Sequence, residues 1–237
     1  GEITNAPLVL EHARTGCDLI VSTGMATLSE IEQVLSVIAF GFINPEGNPT
    51  DEALQAAYFS EQGKQLLKDK VTLLHCTTEY PAPFNDINLN AMDTMKDAFK
   101  LEVGYSDHSA GIVVPIAAVA KGAVLIEKHF TVDKALPGPD HKASLDPIEL
   151  KEMVDGIRIV EKILGDGIKG PRPSEVKNKA VARKSLVAAQ AIAAGELFNI
   201  ENLAVKRPGN GINPVKYWCY LDKPSSKSYQ AGDLIDG

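Results

Sequence analysis

The chain is short of cations. Its 24 Lys and Arg stand against 31 Asp and Glu, a formal charge of −7 with a pI near 5.3. That deficit argues against a general nucleic-acid or acidic-membrane surface. It leaves room for a phosphorylated metabolite held by local amides, hydroxyls and a few cations. Cysteine is scarce as well. Cys17, Cys76 and Cys219 are odd in number, far apart and without CxxC spacing. This excludes a disulfide framework and points to reduced thiols in a cytoplasmic protein. No window approaches the ~18 consecutive apolar residues of a membrane span, and no secretory signal is present. An initiating Met is lacking too; the chain opens on Gly1-Glu2-Ile3-Thr4-Asn5, which suggests a fragment or a processed form.

What is present is ordinary globular composition. With 44% hydrophobic and 23% charged among 237 residues, there is enough for one large domain, or one large and one small. Leu19-Ile20-Val21 is a short apolar run ending in Ser22-Thr23-Gly24-Met25. Thr27 and Ser29 then offer N-caps, with Glu30 and Glu32 as capping-box partners, and apolar spacing predicts a helix over about 28–40. Residues 41–50 read as a loop, and 52–68 as helix broken near Gly63. Residues 71–74 form the second strand, and Leu89, Met92, Met95 and Phe99 mark an amphipathic helix that packs into the core.

The third strand covers 101–105 and the fourth 123–128, joined by the apolar stretch from Ala110 to Gly122, which is long enough for one crossover helix. Asp146-Pro147-Ile148-Glu149 starts a last helix running to Gly165, with an N-cap, a proline at the first helical position and a carboxylate at the third. Strand and helix thus alternate four times, the pattern of an α/β domain with a parallel sheet. Residues 166–177 read as a linker. From 178 onward the runs are short and broken by glycine and proline, as expected of a small, irregular, β-rich domain.

Chemistry gathers at the strand ends. They supply Ser22 and Thr23; Thr77, Thr78 and Tyr80; Ser106, Asp107 and His108; Glu127, Lys128 and His129. Parallel strands bring their C-terminal ends to one edge, where such sheets build their sites. Hydroxyls and amides around one opening suit a phosphate or carboxylate. His108 and His129, at the ends of adjacent strands, suit a divalent metal with open positions, although His108 taken singly is equally a hydrogen-bonded structural residue. Strand alternation sets Glu127 and His129 on one face and Lys128 on the other, away from the site. His75 and Cys76 read as core. The loop Pro137-Gly138-Pro139-Asp140-His141 either folds over the mouth presenting Asp140 or is a tight turn capped by it. Lys206-Arg207-Pro208-Gly209 is a cationic turn, either solvated or reaching a ligand on another domain or subunit.

Seven stretches, in order and spanning nearly the whole chain, resemble the sialic acid synthase family, which includes N-acetylneuraminate, legionaminic and pseudaminic acid synthases. They are Gly1 to Asn5, Ser22 to Met25, His75-Cys76-Thr77-Thr78-Glu79-Tyr80-Pro81, Gly104 to Ser109, Glu127-Lys128-His129-Phe130-Thr131, Pro137 to Asp140 and Lys206 to Gly209. The resemblance implies the C-terminal half of a TIM (β/α)8 barrel, strands five to eight, over 1–165. After the 166–177 linker it implies an antifreeze-like (SAF, β-clip) domain over 178–237. It also implies a cytoplasmic enzyme of surface-glycan biosynthesis that condenses phosphoenolpyruvate with an N-acetylated hexosamine and releases phosphate.

In that frame His108 and His129 hold a divalent metal, Mn2+ or Mg2+. Ser22, Thr78, Tyr80 and Ser106 line the substrate site. Glu2 and Asp140 meet sugar hydroxyls, and Tyr80 and Asp140 serve catalysis. Arg207 reaches across a domain-swapped homodimer to the N-acetyl group of the partner's substrate. Thr78 stands where some relatives carry Asn. The family's first half would add a catalytic glutamate and a phosphate-binding lysine. Without it two raw sheet edges remain, and the fragment is not expected to fold well alone. Two other readings stay open from the residues themselves: a metal-dependent barrel hydrolase, and a sugar-binding fragment without turnover.

Overall fold

The computed structural model describes residues 1–236. They divide into two compact units, Gly1–Asp166 and the residues from Gly167 onward. In the first, a single turn of 3-10 helix at Glu2–Thr4 leads into α1 (Ala6–Arg14), capped by the Asn5 side chain, which accepts from the Leu8 amide. β1 (Leu19–Ser22) follows, then α2 (Leu28–Ile43), whose start is the Thr27/Glu30 capping box. This helix runs three residues beyond the expected stop at 40, through Gly41. A Cβ there would lie 2.6 Å from the Ala13 Cβ, so the glycine is what lets α1 and α2 cross closely.

The predicted break at Gly63 is at Ser60 instead. Ser60 is extended, ends α3 (Asp51–Phe59) and caps α4 (Glu61–Lys70) through its hydroxyl, which accepts from the Gly63 amide at 2.9 Å. Gly63 lies within α4, and its missing Cβ clears the Ala57 carbonyl. β2 (Val71–Cys76), α5 (Asn90–Phe99), β3 (Glu102–Asp107), α6 (Val113–Ala120), β4 (Ile126–Lys128) and α7 (Pro147–Leu164) complete the unit. Asp146 caps α7 by accepting from the amides of Ile148 and Glu149, and Glu149 accepts in return from the Asp146 amide.

The four strands form one parallel sheet in the order β1-β2-β3-β4, curled as half a barrel. Its two faces differ. Leu73, Val103 and Tyr105 point into a core shared with Leu35 and Ile38 of α2 and Met95 of α5. The register puts Ile20, Ser22, Leu74, Cys76, Gly104, Ser106 and Glu127 on the other face. That face carries no helix layer, and Ile20 is 57% exposed. Among the described residues β1 pairs only with β2. Parallel sheets are ordinarily covered by helices on both sides; here Ile20 at the β1 edge is exposed, while Leu74, Cys76 and Ser106 on the same face are buried.

In the second unit residues 173–177, within the stretch read as a linker, are the first half of α8 (Pro173–Ala182). β5 (Ser185–Ala188) and β6 (Leu203–Lys206) pair antiparallel, isolated bridges join Val187 to Leu234 and Ile192 to Tyr229, and α9 (Tyr217–Tyr220) is one turn. Leu186, Ile192, Phe198, Leu203, Tyr229 and Ile235 form its core. Asn202, fully buried, ties the irregular loop by donating to the Leu197 carbonyl and accepting from the Asn199 amide.

Candidate active site

Three aromatic rings meet at the C-terminal ends of β2, β3 and β4. Tyr80 lies 4.3 Å from His108 and 5.4 Å from His129 between ring centroids, and the two imidazoles are 5.7 Å apart, nearly perpendicular. They border a crevice of ≈ 10 Å³ together with Asp140, Ser109 and Lys128. A hexose cannot enter such a space.

The hydrogen bonds fix how His108 presents itself. Its Nδ1 lies 2.7 Å from the Thr77 carbonyl oxygen, which can only accept, so Nδ1 carries a proton. Nε2 is 3.4 Å from the Ser106 hydroxyl, but that hydroxyl donates to Glu127 Oε1 at 2.7 Å. Its single proton is therefore committed, and in the neutral ring the Nε2 lone pair is free. This is the usual preparation of a metal-binding imidazole, with one nitrogen pinned by an acceptor and the other open. Among the described residues no group of three or more His, Cys, Asp or Glu could hold a metal ion. His108 and His129 fit a divalent ion as a partial ligand set, the remaining positions falling to solvent or substrate oxygens.

Tyr80 is half exposed, yet its phenol is pushed up from its ordinary value, first by burial and then by the negative charges of Cys76, Asp140 and Glu127. It stays a hydrogen-bond donor at neutral pH. Asp140 comes to the mouth on a tight turn, its carbonyl accepting from the Ala143 and Ser144 amides and the Ser144 hydroxyl. The 137–141 loop thus ends in a tight turn held by the Asp140 backbone, with Asp140 at the mouth. Thr78 packs against Gly24, where a Cβ would lie 2.2 Å from the Thr78 Oγ1 and 3.0 Å from the Cys76 Sγ. Cys76 is buried and its thiol is pushed up by that burial, which makes it a core residue rather than a nucleophile. His75 faces the helices, with Nε2 2.7 Å from the Ile87 carbonyl.

Other candidates lie apart. Glu2, whose carboxylate accepts from the Asn5 side chain, and Ser22 line a different cleft of ≈ 390 Å³ beside the free edge of β1. Thr23 is buried, its hydroxyl spent on the Leu74 carbonyl, so it is no ligand donor. Lys128 is likewise unavailable to an anion. Its amino group is held at 2.6 Å by both Asp107 Oδ2 and the Ser109 carbonyl, on the face opposite Glu127. Arg207, in the second unit, donates from Nε to the Ala182 carbonyl. Sequence reasoning missed the Thr77 carbonyl, which no side chain announces. It also missed the Asp107–Lys128 pair, although alternation on adjacent strands places the two on one face.

Half a parallel barrel with two imidazoles at its mouth, and a small β-rich unit after it in the chain, define an α/β chain of the barrel class. The comparisons with known proteins are specific. Residues 1–169 match the NeuB family and 183–223 the SAF domain, and the chain belongs to the NeuB family. It is 49% identical to the N,N'-diacetyllegionaminic acid synthase of Campylobacter jejuni over 235 residues, 99% of this chain and 64% of that protein. With its counterpart from Legionella pneumophila it shares 44% identity over 99% of this chain and 60% of that protein. A solved N-acetylneuraminic acid (sialic acid) synthetase from Leptospira borgpetersenii superposes with a TM-score of 0.58 at 36% identity. The superposition covers 75% of this chain and 53% of that one. The chain thus spans somewhat under two thirds of the length of these relatives.

Proposed function

We propose that this chain carries the metal and sugar side of a nonulosonic acid synthase site. The reaction joins carbon 3 of phosphoenolpyruvate to the aldehyde carbon of an N-acetylated hexosamine. Water then adds at carbon 2 and phosphate leaves. The higher identity to the two diacetyllegionaminic acid synthases than to human N-acetylneuraminate-9-phosphate synthase, at 31%, favours a diacetylated sugar over N-acetylmannosamine. The observation that carries the reading is the His108–His129 pair at adjacent strand ends, with His108 Nδ1 pinned so that Nε2 is free.

The two histidines hold Mn2+ or Mg2+, which when bound polarises the sugar aldehyde. Tyr80, kept protonated, donates a hydrogen bond to an oxygen above the crevice. Asp140 accepts from sugar hydroxyls at the same mouth. Ser106 orients Glu127 along the inner face, and the Thr78 hydroxyl binds phosphoenolpyruvate beside it. Glu2 and Ser22 extend the site along β1, and Arg207 meets the N-acetyl group in a homodimer. A cytoplasmic setting suits phosphoenolpyruvate; no helix among the described residues is long and apolar enough to cross a membrane.

A barrel hydrolase would call for a third protein ligand near the pair, and none stands there among the described residues. The test is phosphate release from phosphoenolpyruvate with Mn2+ and the diacetylated sugar, and its loss in EDTA and in His129→Ala. Calorimetric sugar binding without phosphate release would instead establish the non-catalytic sugar-binding reading, and metal-dependent hydrolysis without phosphoenolpyruvate would overturn both.

A further inference from the structure

Directly behind the two histidines lies the most deeply buried ion pair of the first unit. The side chain of Asp107 is 0% exposed and that of Lys128 3%, with Oδ2 and Nζ 2.6 Å apart. Each is the chain neighbour of one histidine, Asp107 of His108 and Lys128 of His129. Their remaining bonds converge on one residue. Asp107 Oδ1 accepts from the Ser109 amide at 2.9 Å, and Lys128 Nζ donates to the Ser109 carbonyl at 2.6 Å. Both backbone groups of Ser109 are therefore held by a charged pair that also joins β3 to β4 across the register Asp107↔Lys128. In the same peptide unit as the Ser109 amide, the His108 carbonyl accepts from the Ala82 amide at 2.9 Å, and the ring is held by Thr77. The backbone that follows His108 is thus fixed, partly by the residue that precedes His129.

We propose that Asp107 and Lys128 are positioning residues that set the spacing and orientation of His108 and His129 for a divalent cation; this rests on the metal reading given above. The charged atoms of the pair are spent on each other and on Ser109. A buried ion pair is a poor stabiliser compared with packed apolar side chains, because desolvation offsets most of the attraction. What it supplies instead is a directional, charge-assisted cross-link at the level of the two rings, which apolar contacts would not provide.

The test uses Co2+ as probe on the whole chain, read by titration and by its d–d absorption, with circular dichroism to follow the fold. The double variant Asp107→Asn/Lys128→Met keeps an acceptor for the Ser109 amide and leaves no lone buried charge, while removing the cross-link. It is expected to bind Co2+ about 10–100-fold more weakly, the range for lost outer-shell partners, with a shifted absorption. If the double variant does not fold, Asp107→Asn alone carries the test, with the same direction expected. Asp93→Asn, which removes only the surface pair with Lys121, should change nothing. Binding by the parent chain, loss in His129→Ala, and unchanged affinity and spectrum in the folded clamp variant would overturn the clamp and spare the metal reading. Absence of Co2+ binding by the parent chain would overturn both.

Discussion

Gly104 offers a sharp test of how the inner face is packed. A Cβ added there would lie 2.5 Å from the Leu125 carbonyl oxygen, 2.6 Å from Leu74 Cδ2 and 3.0 Å from the Leu125 Cβ. None of these can yield cheaply. The Leu125 oxygen accepts from the Tyr105 amide at 2.9 Å, so moving it stretches the β3–β4 ladder, and Leu74 is fully buried. Overpacking of this kind costs about 1–3 kcal/mol. The substitution also recovers roughly 0.4–1 kcal/mol by restricting the unfolded chain. Gly104→Ala should therefore destabilise by about 1–2 kcal/mol. With a urea m-value of about 2 kcal/mol/M, the middle of the usual range, the unfolding midpoint drops by roughly 0.5–1 M with m unchanged, followed by circular dichroism at 222 nm. Ser106 lies two residues on, so its bond to Glu127 should loosen as well. A midpoint that stays the same or rises would show that β3 and β4 spread without cost and would refute the packing argument.

Two further outcomes are expected. In Gly24→Ala the obstructing atom is chiefly the hydroxyl of an exposed Thr78, which can rotate away. Stability should change by under about 1 kcal/mol, while phosphoenolpyruvate binding measured by calorimetry weakens; unchanged binding would remove Thr78 from the site. Glu149 is held below the ordinary carboxylate value, first by its bond to Lys134 and then by the Asp146 amide. A depressed carboxylate contributes stability that is fully present above its unfolded value of about 4.3 and is lost as pH falls through the folded value. Glu149→Gln should lower stability at pH 7 and flatten its fall below pH 4.3. An acid-unfolding profile identical to the parent's would contradict this.

Much of the architecture was legible because it rests on local rules. Thr27 with Glu30, and Asp146 with Pro147 and Glu149, announce helix starts because a short polar side chain satisfies amides that the helix itself leaves unpaired. The alternation of apolar strands and amphipathic helices forces parallel pairing, and parallel pairing brings His108 and His129 to one edge. Where local signals misled, a distant neighbour had intervened. Gly63 and Gly41 look like helix breakers, but each lies within a helix at a point where a Cβ would strike the Ala57 carbonyl or the Ala13 Cβ, so that only glycine fits there.

The sequence by itself determined that two histidines would stand side by side on a parallel sheet, with Lys128 on the sheet face opposite Glu127. Periodicity and chain connectivity are enough for that. Only the tertiary structure decided which of the surrounding hydroxyls, carboxylates and ammonium groups remain available. Thr23 is spent on Leu74, Ser106 on Glu127 and Lys128 on Asp107 and Ser109, whereas Tyr80 and Asp140 reach the mouth and Glu2 with Ser22 lines another cleft. The physical reason is that a polar group's role depends on its partner, and these partners are brought together from distant parts of the chain by the register of adjacent strands and by backbone carbonyls that no residue type encodes.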